Sequence, residues 1–345
     1  MGMDRYHGAR VKRILQIAAI VALTVFFLWL FLRNADLRQV GRILQSATFG
    51  WVVIGFVANA GALLLRTTRW RIILDPDDPP PFFATFFANT VGYMFSIVLP
   101  IRAADVARPA LLSRRTSHRF SGALGTVLTE RVLDLTSILT VFVIFAFRRW
   151  NEFSHDPGIA AWFYIVRAGA IASVVLLAAL AFLVFGLFFF REKIRWLHEK
   201  LGRILPMRFR NAWMHFFDSF TETLRITQNR RAFVAVLLCT VGVWACLTSQ
   251  FWFATKAVHH PLPYDSAFFV TGVTTIGLAI PTPGGIGGFH KACQLVLTRF
   301  YGFSIDASVA VAVLFHLIGT LPVLTTGLFL FAREGLRWKD MRPKE

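Results

Sequence analysis

Acidic residues are scarce in this chain: 19 Asp and Glu stand against 37 Lys and Arg, and charged residues of both signs fill only 16% of 345 positions. A soluble domain carries about 25% charged and roughly 45–50% apolar residues, so the 56% hydrophobic content here cannot be enclosed by a polar surface. The balance excludes an ordinary soluble enzyme and indicates an integral membrane protein, with mean hydropathy +0.57. Cysteine is scarcer still. Cys239, Cys246 and Cys293 sit in apolar stretches without ligand spacing, where a thiol behaves as a small hydrophobe. Neither a disulfide nor a metal site is expected, and no cofactor motif is complete. The formal charge of +18 on so apolar a chain directs it to anionic lipid head groups before nucleic acid.

What the chain has in abundance is long hydrophobic runs. A spanning helix needs about 20 mostly apolar residues, because its backbone must satisfy its own hydrogen bonds where water is absent. Six stretches meet that demand: 14–32, 49–65, 122–147, 162–190, 233–254 and 309–331. The first follows Arg10, Lys12 and Arg13 and resembles a signal peptide, but it ends in Trp29-Leu30-Phe31-Leu32 without a small-residue cleavage site, so a retained span is expected. Two more apolar segments run into breaks. Residues 82–99 end at Pro100-Ile101-Arg102, and residues 267–280 end at Pro281-Thr282-Pro283-Gly284-Gly285-Ile286-Gly287-Gly288 before resuming over 292–300. Proline removes a backbone donor and glycine frees the backbone, so such breaks survive in a membrane only inside protein or beside a wet cavity. The expected fold is therefore all-α, with about six full spans and two broken or re-entrant helical hairpins, up to eight hydrophobic segments in all.

Lys and Arg near span ends set the orientation. Residues 191–231 carry Arg191, Lys193, Arg195, Lys200, Arg203, Arg208, Arg210, Arg225, Arg230 and Arg231 against Glu192, Glu199, Asp218 and Glu222, which reads as a basic, amphipathic cytoplasmic segment. The N-terminal arm and the tail, with Arg333, Arg337, Lys339, Arg342 and Lys344, are basic too. Six spans and two hairpins put all three on the cytoplasmic side of a plasma (inner) membrane. The whole chain, 1–345, then forms one polytopic domain. Its first half is 14–147 with a hairpin over 82–119, and its second is 233–331 with a hairpin over 267–300. The hairpins enter from opposite sides, as in an inverted pseudo-repeat, although no residue-level self-similarity supports one.

Ionisable residues inside a span cost at least about 2.5 kcal/mol each on insertion scales, which marks them as functional candidates. The third span carries Glu130, Arg131 and Asp134. Glu130 and Asp134, four apart, share a helix face, and Arg131 is spaced to pair with Asp134. The plainer reading is a structural ion pair, and the functional one is the polar wall of a head-group cavity. At the first break Arg102, Asp105 and Arg108 recur every three residues, and arginine's planar fork matches a phosphate. Anchoring at a cytoplasmic boundary is the plainer alternative there, since Arg114, Arg115 and Arg119 follow. Arg66, Arg69 and Arg71 close the second span under the same two readings, with anchoring favoured for Arg71.

The second break holds Gly284, Gly285, Gly287 and Gly288, where a backbone can approach a ligand closely. As a nucleotide loop it lacks both the preceding strand and the Gly-Lys-Ser/Thr ending. A helix from about Phe289 would aim its positive end at the same place, with His290 in its first turn as a hydrogen-bond donor to a ligand. A lone His is nonetheless more often a packing residue than a proton carrier.

In set and order these residues resemble the lysylphosphatidylglycerol synthase transmembrane, or flippase-like, family. The marks are Arg66 with Arg69-Trp70, Leu99-Pro100-Ile101-Arg102 to Asp105 and Arg108, Glu130-Arg131 with Asp134, and Pro281-Thr282-Pro283-Gly284-Gly285-Ile286-Gly287. The resemblance implies a stand-alone multi-span protein that moves phospholipids, polyprenyl lipids or lipid-linked glycans between leaflets. A homo-oligomer and a partner lipid-modifying enzyme are both compatible with it. Where the family's glycine loop runs on to a glutamate, His290 stands here. The soluble aminoacyl-transferring domain of larger members is not expected, because the chain ends at Glu345 soon after the last span, so lipid lysylation by this chain alone is not expected either. Substrate contacts are expected from Arg66, Arg69, Arg102, Asp105, Arg108, Glu130, Arg131, Asp134, Pro283, Gly284, Gly285, Gly287 and His290. The alternatives are an integral-membrane glycosyltransferase, for which Asp75-Pro76-Asp77-Asp78 would offer a carboxylate pair to a divalent cation, and an accessory scaffold. Pro76, Pro79, Pro80 and Pro81 make the acidic stretch a turn in the plainer reading.

Overall fold

The computed structural model describes residues 3–99, 103–148, 160–189, 200, 229–278, 280 and 282–335, and among them the regular structure is entirely helical. In chain order the helices are α1 Met3–Leu32, α2 Leu37–Gln45, α3 Phe49–Leu74, α4 Phe82–Val98, α5 Ala104–Ser113, α6 Phe120–Arg148, α7 Ala160–Phe189, α8 Arg230–Ala257, α9 Tyr264–Gly277, α10 Gly288–Phe300 and α11 Ile305–Arg333. Among the described residues α3, α8 and α11 are each long and apolar enough to cross a membrane. Residues Ala18–Leu32 of α1 qualify together with α2 as a pair bent by 79°. Helix α6 has the length but carries Glu130, Arg131, Asp134 and Arg148, so its place in a bilayer depends on what neutralises them. The basic stretch 191–231 lies outside the described residues apart from Lys200 and its last three positions.

Contacts divide the chain into two interleaved units. The first comprises Met1–Asn59, Tyr93–Ala104 and Leu247–Leu328, and the second Ala60–Gly92, Asp105–Cys246 and Phe329–Glu345. Helices α3, α4, α8 and α11 each run from one into the other.

In the first unit α2 is a helix that hydropathy alone does not single out. Asp36 Oδ1 caps it, accepting from the backbone N–H of Arg38 at 2.8 Å and Gln39 at 3.3 Å, and this satisfies two of the orphan donors of a helix start. The Asp36 N–H donates in turn to Asp306 Oδ1 at 2.8 Å. Thr48 N–H donates to the Ala257 carbonyl at 2.9 Å. The start of α11 and the end of α8 are thereby tied to the connection between α1 and α3.

Both sequence breaks are breaks in the structure. Between α4 and α5 the Ala104 N–H donates to Ser96 Oγ at 2.7 Å; Arg102 lies outside the described residues. Between α9 and α10 the chain makes one 3₁₀ turn at Pro283–Gly285. Gly284, Gly285 and Gly287 have φ of +59°, +73° and +97°, left-handed values that residues with a Cβ adopt only under strain. A Cβ on Gly284 would come within 3.2 Å of the Ile97 carbonyl oxygen in the last turn of α4, so the two breaks meet inside the first unit. Helix α10 packs against α9 and α1.

Candidate functional site: a buried arginine–carboxylate network

Four charged side chains converge in the second unit. On α6, Thr126, Glu130 and Asp134 recur every four residues and present one stripe; on α3, Arg69 and Trp70 face it. Arg69 Nη1 donates to Asp134 Oδ1 at 2.7 Å and Nη2 to Oδ2 at 3.3 Å, while Nη2 also reaches Glu130 Oε1 at 3.4 Å. From α5, Arg108 Nη2 donates to the other oxygen, Glu130 Oε2, at 2.7 Å. The side chains of Arg69, Arg108 and Glu130 are 1%, 1% and 3% exposed. Two guanidiniums and two carboxylates therefore balance each other where a single charge would be prohibitive. Thr240 Oγ1 of α8 accepts from Arg69 at 3.4 Å, and Ile73, Ala232 and Val236, with Ile72 and Leu133 packed against them, form an apolar cluster on the same helices.

Arg108 is held on two further sides. Its guanidinium lies 4.2 Å from the centre of the Trp70 ring, a cation–π contact, and Trp70 is fixed by donation from Nε1 to Thr126 Oγ1 at 2.9 Å. Its stem runs against Gly92 of α4, where a Cβ would come within 2.3 Å of Arg108 Cγ. Only glycine leaves that channel open.

The pairing differs from the one expected within α6. Asp134 is held by Arg69 of α3, and Arg131 donates to Asp105 Oδ1 of α5. Neighbours at i+3 on one helix offered the pair, yet cross-helix partners took the carboxylate and the cation. The Asp105–Arg131 pair is partly exposed, at 27% and 34%. Arg66 is half-buried, and its charge and that of Arg131 act on Asp134. Of the residues singled out from the sequence, Arg69, Arg108, Glu130 and Asp134 thus share one network and Asp105 pairs with Arg131.

Pro283, Gly284, Gly285, Gly287 and His290 belong to the first unit. His290 is buried and turned to its own helix start, its Nδ1 accepting from the Gly287 N–H at 3.4 Å, which is half of a capping box. Its ring sits 5.1 Å from Phe31, 5.5 Å from Phe289 and 4.6 Å from His316, centre to centre. These are the surroundings of a ring packed inside the first unit.

The family model for the transmembrane region of lysylphosphatidylglycerol synthases matches residues 15–327. The chain belongs to this family. A UPF0104 membrane protein of Methanocaldococcus jannaschii is 24% identical over 235 residues, covering 68% of this chain and 91% of the relative. Another UPF0104 membrane protein, from Methanothermobacter thermautotrophicus, is 24% identical over 333 residues, with 89% of each chain covered. Membership and the apolar helices together make this an integral membrane protein of that family. The resemblance drawn from four motifs therefore holds along nearly the whole chain.

Sequence reasoning placed Arg69 among the expected substrate contacts but did not pair it with Glu130 and Asp134. It also missed Trp70 as the platform for Arg108, and Gly92. The available signal was spacing: Arg66, Arg69 and Trp70 stand at i, i+3 and i+4, on one face of α3.

Proposed function

We propose that the protein moves a phosphate-bearing anionic lipid, a phospholipid or a polyprenyl- or glycan-linked lipid, between the leaflets of a plasma (inner) membrane with both its termini in the cytoplasm. The observation that supports this is the Arg69–Glu130–Arg108 bridge. Two forks meet on one carboxylate in a segment otherwise built for hydrocarbon, and phosphate oxygens fit the same forks. A lipid phosphate exchanges with Glu130 at Arg108, and Arg66 supplies a third cation against the added negative charge. Competition from Glu130 keeps the phosphate loosely held, as transport requires, since a ligand held as tightly as its surroundings allow is not released.

The transferase reading has less support. Asp75 Oδ1 accepts the N–H groups of Asp77 and Asp78, each at 3.0 Å, and Asp77 accepts from Asn229 Nδ2 at 3.1 Å. These are the bonds of a turn. The experiment is reconstitution in phosphatidylcholine vesicles carrying fluorescent phosphatidylglycerol and a membrane-impermeant quencher. The proposal expects inner-leaflet probe to become quenchable with the protein present; quenching that stops at the outer leaflet, as in protein-free vesicles, contradicts it.

A further inference from the structure

The second break sets the start of α10 against the last turns of α1. A Cβ on Gly287 would come within 2.6 Å of Phe27 Cβ, and the rings of Phe31 and His290 lie 5.1 Å apart, centre to centre. Gln294, 4% exposed, links the two helices. Its Nε2 donates to the Phe31 carbonyl at 2.9 Å, one of the final carbonyls of α1 that have no donor within their own helix. Its Oε1 accepts from Lys291 Nζ at 2.7 Å. A buried amide thus fixes Lys291 beside the end of α1, and it takes one of the three ammonium protons and leaves two.

The charges acting on Lys291 are those of Arg33, just past the end of α1, and of Arg299 on α10, both of its own sign. Lys291 also stands in the first turn of α10, where the helix presents its positive end and no acidic residue is present. Arg33 lies against the Trp29 ring, 5.2 Å from its centre. Among the described residues neither Arg33 nor Lys291 forms an ion pair, and Asp36 accepts from the start of α2 instead. Membrane anchoring does not account for the gathering: Arg10, Lys12 and Arg13 stand toward the other end of α1, and the positive-inside bias assigns cations to one end of a span. Like charges brought together from two helices, and held there by a buried amide, repel until an anion sits among them.

We propose that Arg33, Lys291 and Arg299 form a phosphate-binding site where α10 meets the end of α1. Arginine's fork takes two oxygens of such a group, and the lysine adds a point charge with two free donors. The phosphate is that of a lipid head group or a free ion. The site belongs to the first unit and needs no exchange at Glu130, so it stands or falls apart from the transport reading above.

The test uses the full-length protein in uncharged detergent. It is melted with phosphatidylglycerol against diacylglycerol, which lacks the phosphate, and in sodium phosphate against sodium chloride at equal ionic strength. The phosphate-bearing ligand should raise Tm saturably, by about 2–4 °C once well above its Kd. A rise with phosphatidylglycerol alone identifies a lipid head group, and a rise with inorganic phosphate identifies the free ion. Arg33→Gln and Lys291→Gln should each move the half-saturating concentration up about tenfold or more. Arg33 is exposed and lies beyond the last residue of α1, so Arg33→Gln is expected to fold and decides the matter should Lys291→Gln fail to. No rise with either ligand, or a half-saturating concentration unmoved in either variant that folds, overturns the site.

Discussion

Arg108 Nη2 and Glu130 Oε2 meet at 2.7 Å with side chains 1% and 3% exposed, tying the short helix α5 after the first break to the long helix α6. Glu130 also faces Arg69, so deleting it removes a buried carboxylate that two cations share, while Arg69 keeps Asp134. Glu130→Ala is expected to cost about 3–5 kcal/mol. Arg108→Ala with Glu130→Ala should cost clearly less than the two singles summed, because the double change removes the stranded charge together with its partner. A double-mutant cycle in chemical denaturation of the purified protein measures this, and additivity would deny the pairing.

The outer pair should behave differently. Asp105 and Arg131 are 27% and 34% exposed, where solvent screening holds an ion pair to about 0–1 kcal/mol. Arg131→Gln is expected to shift stability by no more than that, with the effect shrinking in high salt. A loss comparable to that at Glu130 would mean that Arg131 belongs to the buried network.

Two glycines should respond with opposite sign. At Gly287, with φ +97°, a Cβ would come within 2.6 Å of Phe27 Cβ, so Gly287→Ala should destabilise by roughly 1–3 kcal/mol. Gly41, inside α2, has nothing within 4 Å of an added Cβ, and alanine there should stabilise by about 0.5–1 kcal/mol through helix propensity. Thermal melts of the two variants side by side read both signs; a stable Gly287→Ala protein would remove the case for a built-in turn at the second break.

Much of this arrangement is legible in the sequence, for physical reasons that also mark its limits. Proline and glycine act locally, so the breaks after α4 and α9 are visible without any tertiary information, and Gly288 starts a helix within one residue of the place expected. Charges in an apolar run are equally conspicuous, which is how Glu130, Asp134 and Arg108 stand out. Partner choice is not local. Intrahelical spacing offered Arg131 to Asp134, and only packing brings Arg69 across to take it. Helix α2 is short and alternates Leu37, Val40 and Leu44 with Arg38 and Arg42, so a hydropathy scan passes over it. His290 reads as a ligand contact from its position after the glycines, and in the structure its ring lies against Gly287, Phe31, Phe289 and His316.

The exchange of a lipid phosphate for Glu130 at Arg108 is tested most directly by the rate of fluorescent phosphatidylglycerol movement in vesicles holding equal amounts of inserted protein. Lysine keeps the charge of Arg108 but loses the fork and the flat face over Trp70. The account predicts that the unaltered protein moves the lipid well above the protein-free rate and that Arg108→Lys lowers that rate about tenfold or more, the equivalent of about 1.4 kcal/mol or greater in the barrier. An Arg108→Lys protein that moves phosphatidylglycerol as fast as the unaltered one would contradict it.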